Sequence, residues 1–157
     1  PAGLEIKGAM SVPTPSGDFT MTARADRIDR LTEGGAAIFD YKAGAPPSAK
    51  QIKLGFNQQL HLQAAILMAG GFAGLGVLEA RSGAYLGLTG SGDGGKAQAV
   101  ENLSEEVAAH MKQLEALIIA YDRAETPYIS RGRVEKQSFE GDYDHLARRG
   151  EWDGGEE

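Results

Sequence analysis

Ala23-Arg24-Ala25-Asp26-Arg27-Ile28-Asp29-Arg30 is followed, after a Glu33-Gly34-Gly35 turn, by Ala36-Ala37-Ile38-Phe39-Asp40-Tyr41-Lys42-Ala43-Gly44. Both stretches are strand-like, and in each an acid interrupts the run. A charge inside a strand is costly unless it is solvated, paired or bound to a metal. Asp40 and Lys42 are two residues apart and so share one face of a strand. A three-residue turn at Glu33-Gly34-Gly35 pairs Thr32 with Ala36, which sets Asp26 opposite Lys42 and Ile28 opposite Asp40. Directly opposed residues project from one face, roughly 4.5 to 5.5 Å apart at Cβ. Two carboxylates and an amine therefore converge on one patch. A slip of one residue would send Asp26 to the other face and destroy it.

Two carboxylates and a backbone carbonyl are the hard oxygen donors that Mg²⁺ or Mn²⁺ prefers. Such an ion lowers the pKa of a bound water and neutralises charge building on a phosphoryl oxygen. A lysine beside it can orient the attacking hydroxide and stabilise the transition state. The same Asp–Lys–Asp grouping also describes a surface ion pair, and residue type alone leaves both open.

Working outward, Leu4 to Val12 and Phe19 to Leu31 read as strands separated by a turn at Pro13, Pro15, Ser16 and Gly17. Gly44 to Ser48 breaks the chain after the third strand. Phe56, Leu60, Ala64 and Leu67 recur at helical spacing, and Gly70-Gly71 stops that helix. Gly74 to Leu88 reads as a second strand pair turning near Arg81-Ser82-Gly83, and Gly90 to Gly95 as a mobile loop. A long helix is expected from Ser104, as N-cap, to about Arg123, with Val107, Met111, Leu114, Ile118 and Tyr121 as its apolar stripe. After Pro127 the chain is irregular and polar, with Arg131, Arg133 and Lys136 close together.

The 157 residues suffice for one domain with a real core. A net charge of −6 argues against a nucleic-acid binder running on overall charge, while leaving room for a local basic groove. Zero Cys excludes disulfides, cysteine nucleophiles and cysteine-held clusters within these residues. No apolar run reaches the roughly 18 residues of a membrane span, and no signal peptide is visible, so a cytoplasmic protein is expected. The three histidines, His61, His110 and His145, show no metal-ligand spacing and are expected to be structural or exposed. Asp29 is expected on the opposite sheet face from Asp26, pairing with Arg30 rather than with Arg27. Glu5, on a strand pattern, is left out of the site. No serine sits in a G-x-S-x-G setting, and the glycines at 90–95 form no phosphate loop.

The sequence D-R-I-D, a short turn, I-F-D-Y-K-A-G and then Gln59-Leu60 on a helix resembles the PD-(D/E)XK nuclease superfamily, in its RecB-like branch. It is similar to the C-terminal nuclease domain of AddB-type subunits of the AddAB helicase–nuclease. The stretch Tyr143-Asp144-His145-Leu146-Ala147-Arg148 with Glu151-Trp152 resembles the ends of alphaproteobacterial AddB chains. Ala23 stands where that family usually has glycine, and Gln63 where it has an aromatic residue. The resemblance implies an α/β restriction-endonuclease-like core, a mixed β-sheet flanked by helices, over residues 1–152, while the acidic, glycine-containing composition of 153–157 predicts a disordered tail. It also implies a fragment of a larger subunit whose N-terminal helix, carrying a further acid, lies outside these residues. Asp26 and Asp40 would bind the metal together with the Tyr41 backbone carbonyl, Lys42 would be the catalytic lysine, and Gln59 would order the site. The implied cofactor is Mg²⁺, with Mn²⁺ able to substitute and no iron–sulfur cluster within this chain. The implied partners are DNA, as a single strand at the active site, and an AddA-like helicase–nuclease subunit, with no membrane. The implied function is DNA exonuclease activity in double-strand break repair. The alternatives are a non-catalytic module for DNA contact or subunit docking, or another RecB-like exonuclease.

Overall fold

A computed structural model describes residues 1–90 and 94–128. The chain divides into two compact units, Pro1–Thr126 and Pro127–Glu157. All elements below belong to the first. Arg131, Arg133, Lys136, His145 and the stretch from Tyr143 to Trp152 lie outside the described residues.

The elements in chain order are β1 (Gly3–Thr14), β2 (Gly17–Arg30), β3 (Ala36–Ala43), α1 (Ala49–Lys53), α2 (Gln59–Met68), β4 (Ala80–Leu88), β5 (Lys96–Val100) and α3 (Leu103–Tyr121). The strands form one five-stranded sheet in sequential order. Its neighbours pair antiparallel except for β3 and β4, which run parallel. A parallel pair needs a long crossover, and the segment holding α1 and α2 supplies it. This is the mixed sheet flanked by helices expected from the sequence.

The β2–β3 hairpin has the expected face but not the expected register. Its turn closes on Leu31 and Gly35, with Leu31 N donating to Gly35 O at 3.1 Å and Gly34 N to Leu31 O at 3.1 Å. Thr32, Glu33 and Gly34 are thus the turn, and Gly34 takes the left-handed φ of +86° that such a loop requires. Shifting the turn by one residue moves the pairing by two, so Ile28 opposes Ile38 and Arg27 opposes Phe39. A shift of two keeps every side chain on its face. Asp26, Asp40 and Lys42 therefore stay together despite the misplaced turn.

Gly74 to Leu88 is not a strand pair. β4 runs unbroken through Arg81-Ser82-Gly83 beside β3. Gly83 is there for space: a Cβ on it would stand 3.1 Å from the Ile38 carbonyl oxygen, 3.2 Å from Leu60 and 3.3 Å from Leu103. The partner of β4 is β5, a five-residue strand from Lys96 to Val100 that was not foreseen from the sequence. The short α1 was also not foreseen; Ser48 caps it in a reciprocal capping box with Gln51.

α2 is the centre of the core. Leu60, Ala64, Ile66 and Leu67 are fully buried, and Ala65 nearly so, because the helix is packed on almost every side. Phe56 falls in the turn before it rather than on its stripe. The Gln63 amide Nε2 donates to Arg24 O at 3.2 Å, tying α2 to β2. α3 starts at Leu103 after an Asn102 cap with φ of +52°, not at a Ser104 cap; Ser104 lies inside the first turn. Leu103 and Val107 are buried, Met111 and Leu114 pack against the core, and Leu117 and Ile119 are exposed.

Candidate active site

β3 delivers Asp40 into the protein with only 2% of its surface exposed. A buried carboxylate needs partners, and α2 provides them from its first residue. The Gln59 side-chain amide Nε2 donates to Asp40 Oδ1, and Gln59 Oε1 accepts from Lys42 Nζ at 2.8 Å. The amide is oriented by charge, its N–H toward the carboxylate and its oxygen toward the ammonium. Lys42 Nζ also lies 2.8 Å from Asp40 Oδ2. That contact is ionic but not aligned as a hydrogen bond, so the buried Oδ2 keeps unused acceptor capacity.

Asp26 lies one residue past Arg27, the first paired residue of β2 in the β2–β3 ladder. Its Oδ2 accepts the Tyr41 backbone N–H at 2.8 Å. Asp26 is thereby attached to the residue between Asp40 and Lys42. The start of α2 is held from the next strand. Tyr85 of β4 is fully buried, opposes Asp40 in the β3–β4 register, and donates from its hydroxyl to Asn57 O at 3.2 Å. The same hydroxyl accepts the Leu60 N–H at 3.4 Å, and burial pushes the phenol pKa up, so it stays neutral. Lys42 Nζ lies 5.7 Å from the centroid of the Tyr85 ring.

The structure thus brings Asp26, Asp40, Tyr41, Lys42 and Gln59 into one connected group. Its donor set, two carboxylates and a strand with a backbone carbonyl, is hard oxygen, and the buried Asp40 Oδ2 has capacity to spare. These residues fit a Mg²⁺- or Mn²⁺-class ion.

Asp29 differs from expectation. Arg27 holds it in a two-pronged pair, with Nε 2.9 Å from Oδ1 and a terminal guanidinium nitrogen 2.6 Å from Oδ2. Residues two apart on a strand share a face, so Arg27 and not Arg30 is the partner. The guanidinium holds the Asp29 carboxyl below the usual carboxylate range. Arg30 instead donates to Leu75 O at 2.8 Å. Glu5 sits on β1 with a left-handed φ of +51° and is ion-paired with Arg24.

Among the described residues, His61 and His110 lie together. His61 Nε2 lies 2.8 Å from Glu106 Oε2, and the His61 and His110 rings are 4.0 Å apart between centroids. Glu106 and His110 are four residues apart, one helical turn, which was the available sequence signal. Nothing in the sequence pointed from there to His61.

A family model described as the PD-(D/E)XK nuclease superfamily matches residues 1–134. Uncharacterised proteins of Rickettsia conorii and Rickettsia felis are 34% and 33% identical over 69 residues, 44% of this chain and 8% of each relative. The chain thus spans a small part of the length of the curated relatives it matches. A crystal structure of SSO0001 aligns with a TM-score of 0.45 and 16% identity, over 69% of this chain and 50% of that one. Among the described residues no helix is long and apolar enough to cross a membrane.

Proposed function

This chain belongs to the PD-(D/E)XK nuclease superfamily, and on that premise we propose that it is the metal-dependent DNA exonuclease domain of an AddB-like helicase–nuclease subunit. It would trim single strands during double-strand break repair, beside an AddA-like partner, with residues 1–152 as the nuclease domain. One observation carries the catalytic part of this reading: Asp40, Lys42 and Gln59 form a closed hydrogen-bonded and ionic triangle. Asp26 is anchored to the same strand at Tyr41. The subunit assignment is supported by the sequence resemblance, and by relatives in which the matched stretch is 8% of a much longer chain.

Asp26, Asp40 and the Tyr41 carbonyl would hold a divalent ion, which when bound supplies an activated water and charge neutralisation at the phosphate. The protein's own residues prepare that chemistry. Gln59 fixes the rotamer of Asp40 and turns one carboxylate oxygen away from itself. Lys42, held by Gln59 and Asp40, places its ammonium at the edge of the buried carboxylate, where charge on a scissile phosphate would develop. A donor fixed before the reaction needs no reorganisation during it, and such a group is worth about 10²- to 10³-fold in rate.

The test is metal-dependent digestion of end-labelled single-stranded DNA by the protein at its full natural length, beside Lys42→Ala. Mg²⁺- or Mn²⁺-dependent digestion that falls about 10³-fold in the variant, with melting unchanged, is expected. Undiminished digestion by the variant would remove Lys42 from the reaction, and none by the parent would make the fold a non-catalytic platform.

A further inference from the structure

The second polar group of the molecule lies between α2 and α3. His61 comes from α2, Glu106 and His110 from successive turns of α3, and one ligand-capable atom from each lies within 4.8 Å of the other two. His61 is 1% exposed, His110 is half-buried and Glu106 is exposed. The three line an open cleft of about 510 Å³, whose wall includes a further carboxylate, Glu101, and the cation Lys53.

A core histidine that serves only packing has both ring nitrogens satisfied. His61 does not. Its Nδ1 is buried with no hydrogen-bond partner, while Nε2 faces the Glu106 carboxylate at 2.8 Å. With the proton on Nε2, a buried lone pair on Nδ1 has no donor. With the proton on Nδ1, the Nε2 lone pair confronts a carboxylate oxygen, which is repulsive unless a cation lies between them. His110 adds a second imidazole against the first, and two imidazolium ions in contact repel.

We propose that His61, Glu106 and His110 form a binding site for a zinc-class divalent transition-metal ion, clamping α3 to α2. Two imidazoles and one carboxylate are the donors that such an ion takes, and they differ in class from the all-oxygen group at Asp26 and Asp40. Three protein ligands leave a fourth tetrahedral position toward the cleft, where water has access. The clamp would act on the helix that carries Gln59, two residues before His61. This site stands independently of the nuclease reading, since none of its ligands belongs to the Asp40 group.

The experiment titrates metal-free protein with Co²⁺ alone and records the visible spectrum, then displaces Co²⁺ with Zn²⁺. Parent protein and Asp40→Asn are expected to give the intense absorption of four-coordinate Co²⁺, and Zn²⁺ is expected to abolish it and raise the melting temperature. His110→Ala and Glu106→Ala, at half-buried and exposed positions that the fold does not need filled, are expected to lose the absorption. Their Zn²⁺ affinity is expected to fall by about 100-fold or more, beyond the effect of losing an outer partner. The proposal is overturned if the parent shows only the weak octahedral Co²⁺ spectrum. It is equally overturned if the absorption survives in both α3 variants, or disappears in Asp40→Asn.

Discussion

Two polar groups share the helix α2 but are built by different rules. Gln59 and His61 are two positions apart, about 200° around a helix, so α2 offers one to β3 and the other to α3. On the sheet side the acid and the lysine come from one strand, and a period of two places them together whatever lies elsewhere. On the helix side the residues come from elements 45 positions apart, and only packing unites them. Each group leaves one buried atom without a hydrogen bond, Asp40 Oδ2 on the sheet side and His61 Nδ1 on the helix side. Buried polar groups that satisfy each other stabilise a fold, and those that do not point to something bound.

The strongest way to break the comparison is to remove what both groups rest on. Leu60 is fully buried on α2 between Gln59 and His61. Leu60→Ala should cost about 2 to 5 kcal/mol in urea unfolding, and Mn²⁺ and Co²⁺ binding should be lost together at lower urea than in the parent. Separate loss of one would show that the groups do not share a scaffold.

Next in size, Asp40→Asn should weaken Mn²⁺ binding by calorimetry about 100-fold, because a neutral amide replaces the buried carboxylate. Equal binding in parent and variant would remove Asp40 from the metal site.

Glu5→Gly tests the neighbourhood of Asp26. A residue with a β-carbon held at φ +51° is strained, and glycine is not. The variant is expected to gain about 1 kcal/mol in chemical denaturation with Mn²⁺ binding unchanged. Weakened Mn²⁺ binding would instead enlist Glu5 as a ligand.

The smallest effect is expected at Asp29, which shares β2 with Asp26 but pairs with Arg27 on the other face. Its carboxyl is held below its ordinary value of 3.8 by Arg27. A depressed carboxylate stabilises the folded state above its unfolded pKa and loses that contribution as pH falls through the folded one. Parent and Asp29→Asn should therefore differ slightly in urea stability at about pH 5 and converge as pH falls through the pKa of the folded carboxyl, with digestion of DNA unaffected. A gap that persists at low pH would mean the side chain acts by packing and not by charge.

The same contrast separates what could be read from what could not. The three strands and the buried helix after them follow from local pattern: apolar runs, glycine punctuation and a helical stripe. The face shared by Asp26, Asp40 and Lys42 was equally legible, because parity on a strand survives an error of two in the register. The exact turn was not legible, since Thr32-Glu33-Gly34 and Glu33-Gly34-Gly35 both offer a glycine with positive φ. β4 was misread because Gly83 resembles a turn glycine, while its role is to let Leu60 and Leu103 approach the sheet.

By itself, the sequence determined the strand order through the hairpin, the oxygen-rich patch and its likeness to a nuclease family. Each depends on neighbours a few residues apart, whose relative placement is set by backbone geometry. Only tertiary structure decided that Gln59 closes on Asp40 and Lys42, that Tyr85 anchors the helix start, and that His61 meets Glu106 and His110. Those contacts join residues 17 to 49 positions apart. They exist because α2 is buried against sheet and helix at once, a consequence of packing that no local spacing encodes.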